Sequence, residues 1–528
     1  MKVLVTDSIS KEGLEILKEA GITVEERPGI SQEELLQAIS DADGLIIRSN
    51  TKVTEEVVAA AKKLKVVGRA GSGLDNVNIP ACNKRGIVVM NTPGGNTNSA
   101  AEHTMAMIMA ISRHIPQATA SMKAGKWEKK RFMGQELAGK VLGIVGIGRI
   151  GSILAQRAQC LGMTVIAYDP HALPDIVKQL GVALMELDEL LAKADYISIH
   201  TPLTPETKGM FDASKFAKMK KGAYIINCAR GGVINEKDLY DALVSGHLAG
   251  AALDVFEKEP TSLESTPLLS LDNFICTPHL GASTREAQEN VAVAVARQIA
   301  DYLIKGEIRN AVNVPSVNAE TMAKIGPFLS LAEKLGAFQT HLATGPMEEV
   351  QIIYQGDLAE LDSKPITISA VKGLLTPILK EEVNFVNALM QAKDRGVQVT
   401  ETKNVTSEEF TNLLTLRVRT KDGNVNEVAG TIFGKKEPRI VRINDFRLEA
   451  ALEGHILLIY NEDRPGVIGR IGLCLGNANI NIARMQVGQD PSHKRNVILL
   501  STDEIVTPEI IARLMQQDGV SRVKAVEL

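Results

Sequence analysis

The sequence predicts the α/β class: two doubly wound domains built on parallel sheets, then an α+β domain, then a terminal βαββαβ unit. Three observations predict it. From residue 1 to about 287, short and wholly apolar runs alternate with amphipathic helical stretches, the pattern of parallel strands covered on both faces. A glycine-rich turn at 146–151 sits between the apolar run 141–145 and a helical stretch. Beyond 306–315 (GEIRNAVNVP), a segment rich in turn formers, strand-like runs alternate polar with apolar residues instead.

Taken in order, the first domain has apolar runs at 3–5, 45–47, 66–67 and 88–90, separated by helical patterns at 11–20, 31–40 and 55–63. It contains no GxGxxG. A helical stretch, 99–123, leads to a second series with strands at 141–145, 164–168, 196–199, 224–226, 251–253 and 274–276. Six strands in alternation match a complete Rossmann-like dinucleotide fold. The helical segment 283–305 is expected to return the chain to the first domain. Runs 350–354 and 414–418 alternate in polarity, which implies a sheet with one wet face. Residues 455–528 read strand, helix, strand, strand, helix, strand, the order of a ferredoxin-like unit.

Composition narrows the function classes. At 528 residues the chain exceeds what one core supports, so about three or four domains are expected. A net charge of −4 disfavours nucleic acid or an anionic membrane as the main partner. Five scattered cysteines without CxxC spacing imply reduced thiols and no metal site. The start MKVLVTD reads as a strand and not a leader, and the apolar run at 105–111 is far too short to span a bilayer. A cytoplasmic enzyme is the expectation.

The sharpest local signal is VLGIVGIGRIG at 141–151. Gly146 permits the tight turn, Gly148 lets the backbone approach a pyrophosphate, and Gly151 allows helix and strand to pack closely. Arg149 and Ile150 open the helix, whose N-terminus offers N–H donors to phosphate. Asp169 follows by about 20 residues, suited to accept from ribose hydroxyls and to repel a 2′-phosphate. The cofactor is therefore expected to be NAD.

In open α/β sheets, ligands sit beyond the carboxyl ends of the strands. In the second series those positions are Asp169, 200–202 with Thr201, 227–232 with Cys228 and Arg230, Asp254 with Glu259 close behind, and 277–280 with His279. Oxidising a secondary alcohol requires a base of near-neutral pKa, which a histidine supplies. A neighbouring carboxylate favours the imidazolium, and a guanidinium binds a substrate carboxylate while polarising the forming carbonyl. Spacing alone leaves Arg230, Glu259 and His279 open between one site and unrelated surface groups. Cys228 reads as a small buried neighbour, and His103, His114 and His247 as structural or surface groups.

Residues 1–312 closely resemble the D-isomer-specific 2-hydroxyacid dehydrogenases, through 139–151, NCARGG at 227–232, ALDVFEKEP at 252–260 and TPHLG at 277–281. The resemblance implies His279 as acid/base, Glu259 as its partner, and Arg230 as substrate anchor and carbonyl polariser. It also implies Asp254 against the nicotinamide amide, with Thr201 and Cys228 near the cofactor.

Within that family the whole chain resembles the long forms that act on D-3-phosphoglycerate, through IIRS at 46–49, GRAGSGLDN at 68–76 and GGN at 94–96. Substrate contacts are then expected from Arg48, Ser49, Ser72, Gly73 and Asn96, with the phosphate on Arg48 or on Arg131 from a neighbouring subunit. YNEDRPGV at 460–467 and NINI at 479–482 resemble an ACT domain, a small-molecule regulatory module. Asn461, Asp463 and Asn481 match the positions that contact L-serine in related enzymes, although Asn461 and Asp463 stand where His and Asn occur in the best-known bacterial pattern. An assembly surface alone is the other reading of this domain. The basic run Lys435, Lys436, Arg439 and Arg442 is either a solvated edge or an anion-binding patch.

The expected partition is a substrate-binding domain at 1–96 completed by 288–312, an NAD-binding domain at 97–287, an intervening α+β domain at 313–452 and an ACT domain at 453–528. The expected reaction is oxidation of 3-phosphoglycerate by a homo-oligomer, dimer or tetramer, opening L-serine biosynthesis. The alternatives are a glyoxylate or hydroxypyruvate reductase, which usually ends near the catalytic core, and an NAD-sensing corepressor.

Overall fold

The structure is a computed structural model that describes every residue except 316–318, 407–408, 435, 491–493 and 528. The first sheet holds β1 (Lys2–Val5), β2 (Thr23–Glu26), β3 (Gly44–Ile47), β4 (Val66–Arg69) and β5 (Val88–Asn91). All are parallel, in the order β2-β1-β3-β4-β5. Four of these strands match the apolar runs; β2 does not. Its sequence, TVEE, lies at an edge and is largely solvent-facing, so no apolar run marks it.

The second sheet holds β6 (Val141–Val145), β7 (Thr164–Tyr168), β8 (Ala183–Leu184), β9 (Tyr196–Ile199), β10 (Tyr224–Asn227), β11 (Gly250–Leu253) and β12 (Phe274–Cys276). Its order is β12-β11-β10-β9-β6-β7-β8, all parallel, so the order in which strands are added switches between β6 and β9. That crevice is where a dinucleotide lies in a doubly wound sheet. The two-residue β8 is one strand more than the six expected, too short to leave a periodic signal.

The helical stretch at 99–123 is two helices, Thr97–Ser112 and Ile115–Lys123. They are broken at His114, which takes a left-handed φ of 55° before Pro116. The first of them buries Met105, Ile108 and Ile111 against the second sheet. Helix Arg285–Lys305 buries Val291, Val295 and Ile299 among Val3, Ile46 and Val66 of the first sheet. Gly68 and Gly13 let it come close: a Cβ on Gly68 would stand 2.6 Å from Val295, and one on Gly13 3.0 Å from the Ala292 carbonyl.

The remainder forms one continuous ten-stranded sheet. Its strands are β13 (Met347–Gly356), β14 (Gln398–Asn404), β15 (Asn412–Thr420), β16 (Val425–Phe433), β17 (Glu437–Ile443), β18 (Phe446–Ala451), β19 (His455–Glu462), β20 (Ile482–Asp490), β21 (Arg495–Thr502) and β22 (Val520–Glu527). The last four carry helices Val467–Asn477 and Pro508–Met515 in βαββαβ order. Their spatial order, β20-β21-β19-β22, is ferredoxin-like. β18 pairs with β20 at Arg447 and Gln489 and joins the two regions. Helices Ala319–Leu342 and Lys364–Leu379 cover the face that both regions share, where Leu335 and Leu374 sit in one core with Ile456 and Leu458.

Among the described residues, no helix is long and apolar enough to cross a membrane, and no cluster of three potential metal ligands occurs.

Candidate active site

The carboxyl rim of the second sheet brings distant residues together. Glu259 Oε2 lies 2.8 Å from His279 Nδ1, 20 residues away in sequence. Their side chains are 37% and 47% exposed, so the pair faces an open cleft. Glu259 Oε1 accepts from the Phe256 N–H at 3.1 Å, which orients the carboxylate. His279 takes a left-handed φ of 57°, a conformation histidine adopts seldom. It is held there by its own N–H, which donates to the Asp254 carbonyl at 2.9 Å and the Thr277 carbonyl at 3.0 Å.

The hydrogen bond that His279 donates to Glu259 raises the His279 pKa, burial opposes it, and the charges of Glu259 and Asp254 add to the rise while Arg230 lowers it. Burial pushes the Glu259 carboxyl up, but its bonds to His279 and Phe256 outweigh that and leave it below the usual range.

Arg230 follows β10. Its Nε donates to Asp75 Oδ2 at 2.9 Å, across from the first domain, and its Nη1 to the Ala229 carbonyl at 2.7 Å. Two glycines make room: a Cβ on Gly231 would overlap the Phe256 carbonyl, and one on Gly73 would overlap the Arg230 guanidinium.

The first sheet presents its own carboxyl ends to the same cleft. Arg48 donates its backbone N–H to Asp7 Oδ2 at 2.6 Å, and Ser49 is exposed beside it. Ser72 Oγ donates to Asn96 Oδ1 at 2.9 Å, and Asn91 Nδ2 to the Ser72 carbonyl at 2.7 Å, so Ser72, Gly73 and Asn96 share one loop cluster.

Arg69, at the end of β4, was not singled out from sequence. Its Nε is buried without a partner. Burial, together with the charges of Arg230 and Arg48, lowers its pKa to about 10, so it stays protonated at neutral pH. Three guanidiniums thus converge where Asp75 and Asp7 supply only part of the countercharge. Arg131 is not among them within one chain; it pairs with Asp272 at 2.8 Å and with Glu128 at 3.3 Å.

The glycine-rich turn at 146–151 is tightly built. Gly146 has φ 97°, and a Cβ there would lie 2.9 Å from the His200 carbonyl oxygen. A Cβ on Gly151 would overlap the Gly146 carbonyl. Gly148 differs: a Cβ there would meet no atom within 4 Å, so this glycine faces open space above the start of helix Arg149–Cys160. Arg149 is exposed and Ile150 half-buried there. Asp169 accepts from the N–H groups of Ile147 (3.0 Å) and His171 (2.8 Å), which anchors it at the turn.

Thr201 Oγ1 is buried with no partner, an orphan that a bound ligand group would satisfy. The bare cradle at Gly148 and this hydroxyl fit a dinucleotide. Burial and the Asp254 charge push the Cys228 thiol up to about 12, which excludes a thiolate nucleophile. Beside Arg149, the segments 94–102 and 284–290 enclose a cavity of about 700 Å³, within the range of small-ligand sites.

Three family models match the chain: D-isomer specific 2-hydroxyacid dehydrogenase, NAD binding domain, over 105–281; D-3-phosphoglycerate dehydrogenase intervening domain, over 324–444; and ACT domain, over 455–519. A D-3-phosphoglycerate dehydrogenase of Archaeoglobus fulgidus is 44% identical over 530 residues, covering 100% of each chain. One of Synechocystis sp. is 43% identical, covering 100% of this chain and 95% of its own. The chain belongs to the D-3-phosphoglycerate dehydrogenases. It is a long form, with intervening and ACT domains. The D-lactate dehydrogenase of Aquifex aeolicus, solved with NAD and lactic acid, is similar over 60% of this dehydrogenase and 100% of its own chain, at 30% identity and TM-score 0.52. The fold class, the family and the NAD-binding domain expected from sequence are therefore borne out, and a shorter reductase or a corepressor is not what the full-length match describes.

The effector candidates of this dehydrogenase do not share one place. Asn461 is buried on β19 and donates to the Glu462 carbonyl at 2.8 Å, and Asp463 accepts from Asn496 at 3.0 Å. Asn481 pairs with Asp503 at 2.6 Å beside the start of β20, at the opposite end of the same strands. Seven residue steps, from Asn496 beside Asp463 to Asp503 beside Asn481, separate the two places, about 23 Å of strand. In the basic run, Arg439 pairs with Glu437 and Arg442 with Glu427, each at 2.8 Å, and Lys436 is exposed. Lys435 lies outside the described residues.

Proposed function

We propose that this chain oxidises 3-phospho-D-glycerate to 3-phosphohydroxypyruvate with NAD, the first step of L-serine biosynthesis, and that Arg230, Glu259 and His279 carry the reaction. The observation that carries this reading is the 2.8 Å Glu259–His279 pair, on the same carboxyl rim as the glycine turn and with the Arg230 guanidinium in its field.

When bound, NAD supplies the acceptor for the hydride leaving C2. Glu259 occupies His279 Nδ1, which leaves Nε2 as the atom that takes the C2 hydroxyl proton. The Glu259 carboxylate then stabilises the imidazolium. Arg230 binds the substrate carboxylate and polarises the forming carbonyl, exchanging its bond to the exposed Asp75 for the substrate. Arg48 and Arg69 hold the phosphate, with Ser49, Ser72, Gly73 and Asn96 around it. Gly146, Gly148, Arg149, Ile150, Gly151, Asp169, Thr201, Cys228 and Asp254 line the cofactor.

Residues 1–96 with 288–312 would form the substrate-binding domain and 97–287 the NAD-binding domain, followed by intervening (313–452) and ACT (453–528) domains. The enzyme works as a cytoplasmic homo-oligomer. Trp127 and Met133, each 81% exposed and flanking Arg131, suit burial against a second copy and would carry Arg131 to that copy's phosphate site. L-Serine would bind between paired ACT domains, with Asn461 and Asp463 from one copy and Asn481 from the other. The separation of these residues within one chain supports that two-copy arrangement.

The test is NADH absorbance from purified protein with NAD and 3-phosphoglycerate, with the product trapped. Turnover of glycerate or lactate but not of the phosphorylated acid would refute the substrate assignment. Rates with and without L-serine, on the full chain and on one ending near residue 312, test the effector: inhibition confined to the full chain is expected.

A further inference from the structure

His103 lies on helix Thr97–Ser112, which leaves the first domain at Asn96 and packs on the second sheet. Its side chain is 19% exposed and reaches the rim of the cofactor crevice. Nε2 stands 2.9 Å from Thr277 Oγ1 and 3.3 Å from Asp254 Oδ1. Thr277 Oγ1 in turn donates to Asp254 Oδ1 at 2.5 Å. A hydroxyl has one hydrogen, and a carboxylate only accepts, so Thr277 must give its hydrogen to Asp254 and accept from His103. That fixes the hydrogen on Nε2 of His103.

The carboxylate of Asp254 is 1% exposed and unevenly filled. Oδ1 receives Thr277, the Leu280 N–H at 2.7 Å and the longer contact from His103. Oδ2 receives only the Gly281 N–H at 2.8 Å. A carboxylate has about four acceptor positions. At two per oxygen, Thr277 and Leu280 fill Oδ1, the single Nε2 hydrogen of His103 goes chiefly to Thr277 Oγ1, and one position is left on Oδ2 beside Gly281. One turn before His103, on the same face of the helix, Ser99 Oγ donates to the Gly281 carbonyl at 2.8 Å. The helix therefore grips both the carboxylate and the turn that carries His279.

We infer that His103 is a positioning residue for the cofactor's carboxamide: by donating to Thr277 it holds the Thr277 hydrogen on Oδ1 of Asp254, keeps that oxygen filled, and leaves Oδ2 as the acceptor for the amide N–H of nicotinamide. The inference rests on the reading of Asp254 as the partner of that amide. His103 touches neither cofactor nor substrate and acts through Asp254 and Thr277. A packing role alone predicts loss of stability without any change in what the site distinguishes; a positioning role predicts loss of discrimination at the carboxamide.

Calorimetric titration of the full-length protein separates these, using NAD and its 3-acetylpyridine analogue, in which a methyl ketone replaces the amide and offers no N–H. His103→Leu should weaken NAD binding roughly tenfold, the scale of one hydrogen bond to a charged group, and leave the analogue's Kd unchanged. His103→Gln, which keeps a donor at that reach, should retain the wild-type NAD-to-analogue ratio, and the shorter His103→Asn should lose it. Should the leucine variant fail to fold, the glutamine and asparagine pair still decides.

Equal weakening of both ligands, or an unchanged ratio in His103→Leu or in His103→Asn, overturns the inference. Asp254→Asn tells the two levels apart. If it leaves the ratio intact, the reading of Asp254 fails and the inference falls with it. If it collapses the ratio while His103→Leu does not, only the role of His103 is wrong.

Discussion

Replacing Glu259 by glutamine removes the charge of the carboxylate but keeps its shape, which isolates its effect on His279. The hydrogen bond donated to Glu259 is the largest cause of the raised His279 pKa, and the charge of Glu259 adds to it. Without them, burial and Arg230 both push the value down against the attraction of Asp254 alone. Oxidation needs the neutral ring to accept a proton. In the wild type, kcat/KM for oxidation should therefore climb as pH rises through a value above 6.5.

In Glu259→Gln the climb should begin at lower pH. Its plateau should also fall, because the imidazolium loses its partner. A hydrogen bond between charged groups contributes about 1.5–3 kcal/mol. This pair is 37% and 47% exposed, so solvent screening favours the lower end, about 1.5–2 kcal/mol. At about 1.36 kcal/mol per tenfold, the plateau should drop roughly 10- to 30-fold. The assay is NADH formation from 3-phosphoglycerate across the pH range. An acid limb that stays in place or moves upward would refute the reasoning, as would an undiminished plateau.

Three further substitutions probe the cleft. Gly148→Ala, at a position with φ −70° and no atom within 4 Å of the new methyl, should leave the thermal midpoint of the free protein unchanged. The methyl would crowd a bound pyrophosphate and weaken NAD by about 1–3 kcal/mol, measurable by NADH fluorescence titration; unaltered affinity would contradict the assigned cradle. Arg69→Gln should raise KM for 3-phosphoglycerate roughly 10- to 100-fold while sparing kcat/KM for unphosphorylated glycerate, and equal losses on both would rule out a phosphate contact. Asp169→Ala should raise kcat/KM with NADP relative to NAD by removing the repulsive charge. It should also lower the thermal midpoint, since Ile147 N–H loses its acceptor.

The parts of this molecule that sequence disclosed are those in which one short segment carries its whole physical reason. The cradle at 146–151 is legible because strand, tight turn and helix start are contiguous, and each glycine answers to a clash or an opening within that turn. The buried parallel strands are legible because both faces must be apolar. β2 is not, because an edge strand facing solvent has no need of apolar residues. Nor is the junction of β18 with β20: a single registered pair between two regions, each with its own strand pattern, leaves no mark in either. His279 and Glu259 stand as candidates at the strand ends, but only the family resemblance joins them into one pair, since 20 residues and a loop separate them.

Arg69 and His103 were passed over for different physical reasons. Only the second sheet carries a GxGxxG turn, so only its carboxyl ends are marked in the sequence as places where ligands gather. The same rule applied to the first sheet yields Asp7, Arg48, Arg69 and Asn91, and the structure puts half-buried Arg69, its Nε out of solvent, within the field of Arg230 from the opposite sheet. The rule follows from sheet topology and not from the cofactor, so it holds for both halves of a cleft lined by two such sheets. His103 escapes any rule of this kind. It sits inside a helix that reads as core, and its significance comes from Thr277 and Asp254, 174 and 151 residues away, whose hydrogen-bond arrangement it fixes. A residue that works by filling another side chain's acceptor positions becomes visible only when every donor around that acceptor has been counted.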